Sequence, residues 1–234
     1  MKDKIRSHHL PHHLLKFRLK GAAGDFVAMK WTKDSVLSYL EEHHDVSRET
    51  SDKLSQYVAL LEKWQKSINL ISAKTLPEIW ERHILDSAQL LTYLPKEPVK
   101  IVDLGSGAGL PAVILAILTD HKIEMVESDA RKCAFMQTAL RETGARAVIH
   151  NERLERLPFL DADIISARAF APLDRMLDWT SHQHKKGQVF WLLKGRAVNE
   201  ELTNLPVSLK VESAQFDSLA SGDGVILRLQ RQES

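Results

Sequence analysis

Val102-Asp103-Leu104-Gly105-Ser106-Gly107-Ala108-Gly109-Leu110-Pro111 joins the end of an apolar run to the start of a helical pattern, with three glycines at alternate positions. Residues without a Cβ in a strand-to-helix turn let the backbone take positive φ and come close to a ligand. A proline in the first helical turn replaces an amide that has no helical partner. The stretch therefore reads as the ligand-binding turn of an α/β sheet, suited to a nucleoside-containing cofactor.

The spacing discriminates among such cofactors. A dinucleotide turn follows G-x-G-x-x-G and rests a pyrophosphate on the helix N-terminus. Here the third glycine comes one residue early and Asp103 stands before the first. S-adenosylmethionine has no phosphate and carries a sulfonium and an ammonium group, so an acid beside the turn suits it and would repel a pyrophosphate. Downstream, Ile123 to Val126 reads as a second strand ending in Glu127, at about the 20-residue spacing where an acid meets ribose hydroxyls in doubly wound sheets. A surface acid at a strand end is the alternative for Glu127. The cofactor candidates from this pattern are Gly105, Gly107, Gly109 and Glu127.

Working outward, short apolar runs alternate with helical patterns: Val99 to Leu104, Ile123 to Glu127, Ala147 to Ile149, Asp163 to Ser166, Val189 to Leu193, Leu209 to Ser213 and Val225 to Leu229. Strands separated by helix-length segments imply a parallel, doubly wound sheet with helices on both faces. The last two lie close enough for an antiparallel hairpin. Helices are expected over Ala112 to Leu118 and Arg131 to Glu142. Before the sheet, Leu54, Val58, Leu61, Trp64 and Ile68 form one helical stripe starting near Ser47, and a second helix runs from about Pro77 to Tyr93. The expected organisation is a basic, His-rich tail over 1–30, a helical region over 31–95 packed on the core, and a Rossmann-like domain over 96–234. Ligands of such sheets lie beyond the carboxyl ends of the strands. That places Asp103 and Gly105, Glu127 and Ser128, Asn151 to Glu155, Ser166 to Phe170 and Lys194 to Arg196 on one rim.

Composition narrows the function classes. With 234 residues and 44% hydrophobic content the chain can bury a full core. Its longest apolar run, Pro111 to Leu118, falls far short of the roughly 20 residues of a membrane span, and no signal-peptide pattern is present, so a soluble, cytoplasmic protein is expected. One cysteine, Cys133, excludes an internal disulfide and a CxxC metal site, and its place on the apolar side of a helix reads as a core thiol. Net charge is only +1, although eight Lys/Arg (2, 4, 6, 16, 18, 20, 30, 33) against Asp3 and Asp25 make residues 1–33 basic. Nucleic-acid contact must therefore come from local patches. His8, His9, His12 and His13 around Pro11 suggest a leader or a non-native remnant rather than a metal site, with Met29 a plausible natural start; no metal is expected.

Residues 47 to 229 resemble the RsmG (GidB) family, bacterial 16S rRNA guanine-N-7 methyltransferases. The resemblance rests on Trp64-x4-Asn69-Leu70, Arg82-His83-Ile84-Leu85-Asp86-Ser87, the glycine turn through Pro111, Arg168-Ala169-Phe170 and Leu193-Lys194-Gly195. It implies a class I S-adenosylmethionine-dependent methyltransferase fold with an N-terminal helical extension and a 16S rRNA or small-subunit substrate. By the same resemblance Gly105 and Leu110 line the methionine and adenosine pocket, Leu154 and Glu155 flank the adenine, and Arg168 closes the site. Ala108 departs from the proline common in the family, which alters loop stiffness more than chemistry.

The residues agree with an acceptor that needs no base. Methylating exocyclic amines typically uses an Asn/Asp-Pro-Pro-aromatic turn after the fourth strand, and pyrimidine C5 needs a cysteine nucleophile, whereas here Ser166-Ala167-Arg168-Ala169-Phe170 occupies the turn. Guanine N-7 offers an in-plane lone pair and has no proton to lose. Arg168 is the catalytic candidate and also joins the cofactor candidates, with an ion pair to Asp163 or Asp174 as its structural alternative. Phe170 offers a stacking face or core packing, and Arg82, His83, Lys194 and Arg196 are candidates for the RNA backbone. His83 and Asp86 are three apart on a helix, as an orienting pair would be. A small-molecule methyltransferase, a non-catalytic cofactor-binding module in ribosome assembly and an NAD oxidoreductase remain as other classes. The glycine spacing argues against the last, and the Arg82 to Ser87 signature against the first. A monomer is expected.

Overall fold

The computed structural model describes residues 6–7, 30–220 and 224–232. The His cluster and Met29 lie outside them.

The strands are β1 (Arg6–Ser7), β2 (Lys100–Leu104), β3 (Lys122–Val126), β4 (Ala147–His150), β5 (Ile164–Arg168), β6 (Val189–Lys194), β7 (Val211–Asp217) and β8 (Val225–Arg231). They form one sheet in the order β1-β7-β8-β6-β5-β2-β3-β4. Strands β2 to β6 pair in parallel, and β8 runs antiparallel to both β6 and β7. The terminal hairpin is as expected. The two-residue β1, parallel to β7 at the sheet edge, falls where no element was expected. Successive strands β2, β3 and β4 step outward, then the chain returns to place β5 on the other side of β2. That reversal opens a crevice at the carboxyl ends of β2 and β5, where doubly wound sheets bind ligands.

Helices α4 (Ala112–Leu118) and α5 (Ala130–Thr143) cover one face of the sheet, together with α1 (Lys33–His44) and α2 (Arg48–Gln65). Their apolar residues merge with Ile101, Ile123, Met125 and Ile164 into a single core. Ser47 caps α2, which buries Leu54, Val58 and Leu61 of the stripe read from sequence and Tyr57 beside them, with Trp64 and Ile68 half-buried. Helices α6 (Leu173–Trp179) and α7 (Val198–Thr203) cover the other face around Leu104, Ile165, Phe190 and Leu192.

Three expectations need correction. Helix α1 falls within the helical region expected over 31–95 but was given no bounds of its own, although Thr32 and Ser35 close a reciprocal capping box at its start. The continuous helix expected over Pro77 to Tyr93 is instead a 3₁₀ segment at Ala73–Glu78, a π turn at Trp80–Leu85, the short α3 (Asp86–Ala88) and a second 3₁₀ segment at Gln89–Thr92. Pro77 lacks an amide to donate, and widened turns of this kind recur at functional sites. Strand β7 starts at Val211 rather than Leu209, because Leu209 closes a turn by donating its amide to the Pro206 carbonyl at 2.9 Å. No helix among the described residues is long and apolar enough to cross a membrane.

Candidate active site

The glycine turn is built as its sequence demands. Gly105, Gly107 and Gly109 have φ of +62°, +57° and +78°. A Cβ on Gly105 would overlap the Phe170 ring and one on Gly109 would overlap Val113, so these two positions exclude side chains by space as well as by conformation. Pro111 stands at the cap position just before α4, rather than within its first turn.

Five amides of the turn are engaged within the protein. Those of Gly105 and Ser106 donate to the Val126 carbonyl at 2.9 and 3.2 Å, and those of Gly109 and Leu110 to the Ser106 carbonyl at 2.7 and 3.2 Å. The Gly107 amide donates to Glu127 Oε2 at 2.9 Å. A pyrophosphate loop needs such amides directed at the ligand, so this geometry adds a second argument against a dinucleotide. Glu127 is fixed by Gly107 and by the Asp129 amide at 2.9 Å on Oε1, and its carboxylate keeps further lone pairs for a ligand.

Asp103 lies deeper than its place beside the turn suggests. It is fully buried, accepts from Ser166 Oγ at 2.7 Å and leaves Oδ2 without a partner. Burial pushes its carboxyl up to about 7, against the pull of the Ser106 and Ser166 hydroxyls. It therefore offers no open charge to a cofactor cation.

Two cavities adjoin on the rim. The smaller, about 280 Å³, is lined by Gly105, Glu127, Leu154, Glu155, Phe170 and Trp179 among others. Glu152 adds a third acid against the single cation Arg153. An acidic cleft with an apolar floor at buried Leu154 and a backbone cradle at Gly105 fits S-adenosylmethionine, whose sulfonium and ammonium are cationic and whose adenosine is flat and apolar on its faces. Leu110 is buried behind the turn, 6% exposed. The larger cavity, about 680 Å³, is lined by Arg82, Asp86, Arg168, Lys194, Arg196 and Glu201 among others. Ala169 and Phe170 line both cavities. Ala169 holds φ at +49°, a strained conformation for a residue with a Cβ, and Phe170 is braced edge-on by Trp179 at 5.7 Å.

Arg168 is the last residue of β5 rather than part of the following loop. Its ion pair is with neither Asp163 nor Asp174: Nε reaches Asp86 Oδ2 at 3.2 Å, Nη1 donates to His83 Nδ1 at 2.9 Å and Nη2 to the Arg82 carbonyl at 2.8 Å. Asp86 is held in turn by Gln89 Nε2 at 2.9 Å, and Gln89 bonds Ser218 and the Leu219 amide of the β7–β8 connection.

Two RNA-contact expectations change with this geometry. His83 is 4% exposed and buttresses Arg168; it presents no charge at the surface. Lys194 lines the cavity, but its ammonium is already matched by Glu201 Oε2 at 2.7 Å and the Ala171 carbonyl at 2.9 Å. The same Glu201 oxygen accepts from the Leu173 amide that opens α6, so Lys194 secures the cavity wall. Arg82 and Arg196 both line this cavity.

A family model for rRNA small subunit methyltransferase G (GidB) matches residues 50–228. The ribosomal RNA small subunit methyltransferase G of Rhodospirillum rubrum is 46% identical over 184 residues, spanning 79% of this chain and 92% of that protein. The protein of the same name from Cereibacter sphaeroides strain ATCC 17029 is 42% identical over 202 residues, spanning 84% and 96%. The chain belongs to this family. A solved structure of a putative S-adenosyl-L-methionine-dependent methyltransferase from Methanococcus maripaludis shares the fold with a TM-score of 0.52 at 13% identity, covering 69% of this chain and 93% of that one.

For a member of the methyltransferase G family, some of what matters at the site lies off the rim motifs. Tyr57 of α2, fully buried, donates its hydroxyl to the Ala108 carbonyl at 2.7 Å and so ties the helical extension to the cofactor turn. Tyr57 stands beside the stripe read from sequence and was not singled out there, because its hydroxyl partner lies 51 residues on. Cys133 donates its thiol to the Glu127 carbonyl at 3.4 Å, and burial pushes it up to about 11, which suits a packing thiol and not a nucleophile.

Burial, with Arg168 and Arg82 nearby, pushes His83 down to about 3. Thr75 Oγ1 donates to the Ser72 carbonyl at 2.9 Å, so the His83 Nε2–H donates to Thr75 at 2.8 Å, leaving Nδ1 as the acceptor for Arg168. A histidine neutral in the folded state adds stability above its unfolded pKa of about 6.5 and loses it as pH falls toward the folded value, by about 1.4 kcal/mol per pH unit. Thermal unfolding of wild type and His83→Asn between pH 7 and 4 is expected to show a shallower fall for the variant, which has no ring to protonate. Parallel pH profiles would contradict a buried neutral His83.

Proposed function

We propose that this protein methylates N-7 of a guanine in the 16S rRNA of the small ribosomal subunit, with S-adenosylmethionine as methyl donor. The observation that carries this reading is the meeting of an acidic cofactor cleft and a larger, Arg-lined cavity at Ala169 and Phe170. When bound, S-adenosylmethionine supplies a methyl group on a sulfonium, open to in-line displacement. The chain's own contribution is positioning, holding donor and acceptor at near-attack distance. Phe170 gives an extruded base a face on which to stack, worth about 1–3 kcal/mol. Arg168 has three of its donor directions engaged by Asp86, His83 and the Arg82 carbonyl, so the rest of its five N–H groups are left for ligand oxygens.

The carboxylates of the larger cavity support an acceptor with no proton to lose. Asp86 is committed to Arg168, Gln89 and Ser218, and Glu201 to Lys194 and the Leu173 amide. Guanine N-7 attacks through an in-plane lone pair and asks for no general base. The same reading takes the enzyme as a monomer that works in the cytoplasm, where the ribosomes are.

The test is transfer of tritiated methyl from S-adenosylmethionine to small-subunit rRNA that lacks the modification, followed by borohydride reduction and aniline scission, which cleaves at 7-methylguanosine. Scission at one site, with release of the labelled base from the RNA, is expected. Label that resists scission would move the acceptor to another atom, and label absent from rRNA would remove the substrate assignment.

A further inference from the structure

The signature Trp64-x4-Asn69-Leu70 lies in neither cavity described above, yet its loop is firmly held. Gln65, the last residue of α2, gives its whole side-chain amide to that loop: Oε1 accepts from the Leu70 and Ile71 amides at 2.9 and 3.0 Å, and Nε2 donates to the Ile71 carbonyl at 2.8 Å. Leu70 is buried, and Trp64 packs edge-on against Phe135 of α5 at 5.8 Å. Between these anchors Lys66, Ser67 and Asn69 are exposed. Across a cavity of about 340 Å³ they face Asp129, Arg131 and Lys132 at the start of α5.

The balance of groups there is cationic. Asp129 is the one acid among the lining residues, and its carboxylate already accepts from the Arg131 amide at 2.9 Å and from Arg131 Nη2 at 3.3 Å. Lys66 and Lys132 have no ion-pair partner among the described residues, and the Ser67 and Asn69 side chains have no hydrogen-bond partner among them either. The shelf adjoins the cofactor cleft, since the Asp129 amide donates to Glu127 Oε1. It lies on the side of that cleft away from Lys194 and Arg196.

We propose that this shelf is a second contact for the RNA substrate, in which Lys66 and Lys132 hold a backbone phosphate and Ser67 and Asn69 hydrogen-bond phosphate or sugar oxygens. The inference rests on the rRNA methyltransferase reading of the rim. Lysine together with serine and asparagine is the set that contacts nucleic-acid backbones, whereas a protein partner would call for exposed aromatic or aliphatic anchors, of which the cavity lining has only half-buried Ile68. The bracing by Gln65 means that little loop entropy is lost on binding. A base drawn into the cavity at Arg168 leaves its strand crossing the rim, and a grip on the far side of the cofactor cleft fixes the direction of that crossing. A net charge of only +1 makes such local grips necessary.

Lys66→Ala combined with Lys132→Ala, and the charge-keeping pair Lys66→Arg with Lys132→Arg, test this on the full chain. The probe is small-subunit rRNA lacking the modification, titrated in the presence of S-adenosylhomocysteine over a range of salt, with transfer kinetics alongside. The alanine pair is expected to weaken RNA binding and raise the RNA KM about tenfold, and to lower the log–log salt slope by about 0.7–0.9 for each lost contact. Its kcat and calorimetric affinity for S-adenosylhomocysteine should match wild type, and the arginine pair should retain RNA affinity. If wild type binds and methylates the RNA and the alanine pair matches it in affinity and slope, the shelf has no such role. If wild type itself neither binds nor methylates small-subunit rRNA, the underlying reading falls and the shelf proposal with it.

Discussion

Gly105→Ala is expected to weaken S-adenosylhomocysteine binding on the order of a hundredfold while the protein stays folded. The added methyl faces two costs at once. At φ +62° a residue with a Cβ is strained by about 1–3 kcal/mol, and that Cβ would overlap Phe170 Cδ2. Relief of the overlap must push the Phe170 ring into the cofactor cleft or the larger cavity, because the ring lines both and Trp179 braces it. Each 1.4 kcal/mol is a factor of about ten in affinity, so strain and intrusion together reach about two decades. Adding Phe170→Ala to Gly105→Ala should recover part of the cofactor affinity, since it removes the overlap and leaves only the backbone strain. Calorimetry of the single and double variants, with far-ultraviolet circular dichroism to confirm the fold, gives the comparison. Wild-type affinity in Gly105→Ala would mean that the cradle at the end of β2 does not hold the cofactor.

What was legible in the sequence and what was not divide along the range of the interactions. Parallel strands buried on both faces read as continuous apolar runs, and β2, β3 and β6 stand within a residue of where those runs placed them. The glycine turn was legible because its spacing is a local conformational demand. Helix α1 was legible only as part of the helical region over 31–95, since the three buried residues Val36, Tyr39 and Leu40 of its twelve make one short repeat that sets no bounds. The role of His83 was not legible for another reason: its partner Arg168 lies 85 residues away, and an exposed and a buried histidine look alike in sequence. Lys194 misled in the same way, because Glu201 enters only once α7 folds back toward the end of β6. A motif thus reports which residues gather at the rim, and their ionic partners decide which of them meet the substrate and which hold the wall.

Arg168→Lys is expected to lower turnover about a hundredfold even though it keeps the positive charge. Asp86, His83 and the Arg82 carbonyl take three different directions of a planar donor fork, and a lysine ammonium on a flexible stem cannot occupy all three. Losing two hydrogen bonds of a charged group, at about 1.5–3 kcal/mol each, leaves the side chain free to leave the wall between the cavities. A hundredfold rate loss corresponds to about 2.7 kcal/mol, so even partial loss of the fork suffices. His83 and Asp86 act here as positioning residues, and two substitutions at His83 separate positioning from packing. His83→Asn sets an amide oxygen near Nδ1, the atom that accepts from Arg168, whereas His83→Gln sets its amide near Nε2, which faces Thr75. His83→Asn should therefore keep kcat within severalfold of wild type, and His83→Gln should fall toward Arg168→Lys, at similar melting temperatures. Equal kcat losses in the two His83 variants would show that the ring only fills space, and full activity in Arg168→Lys would show that the fork is not what the reaction uses.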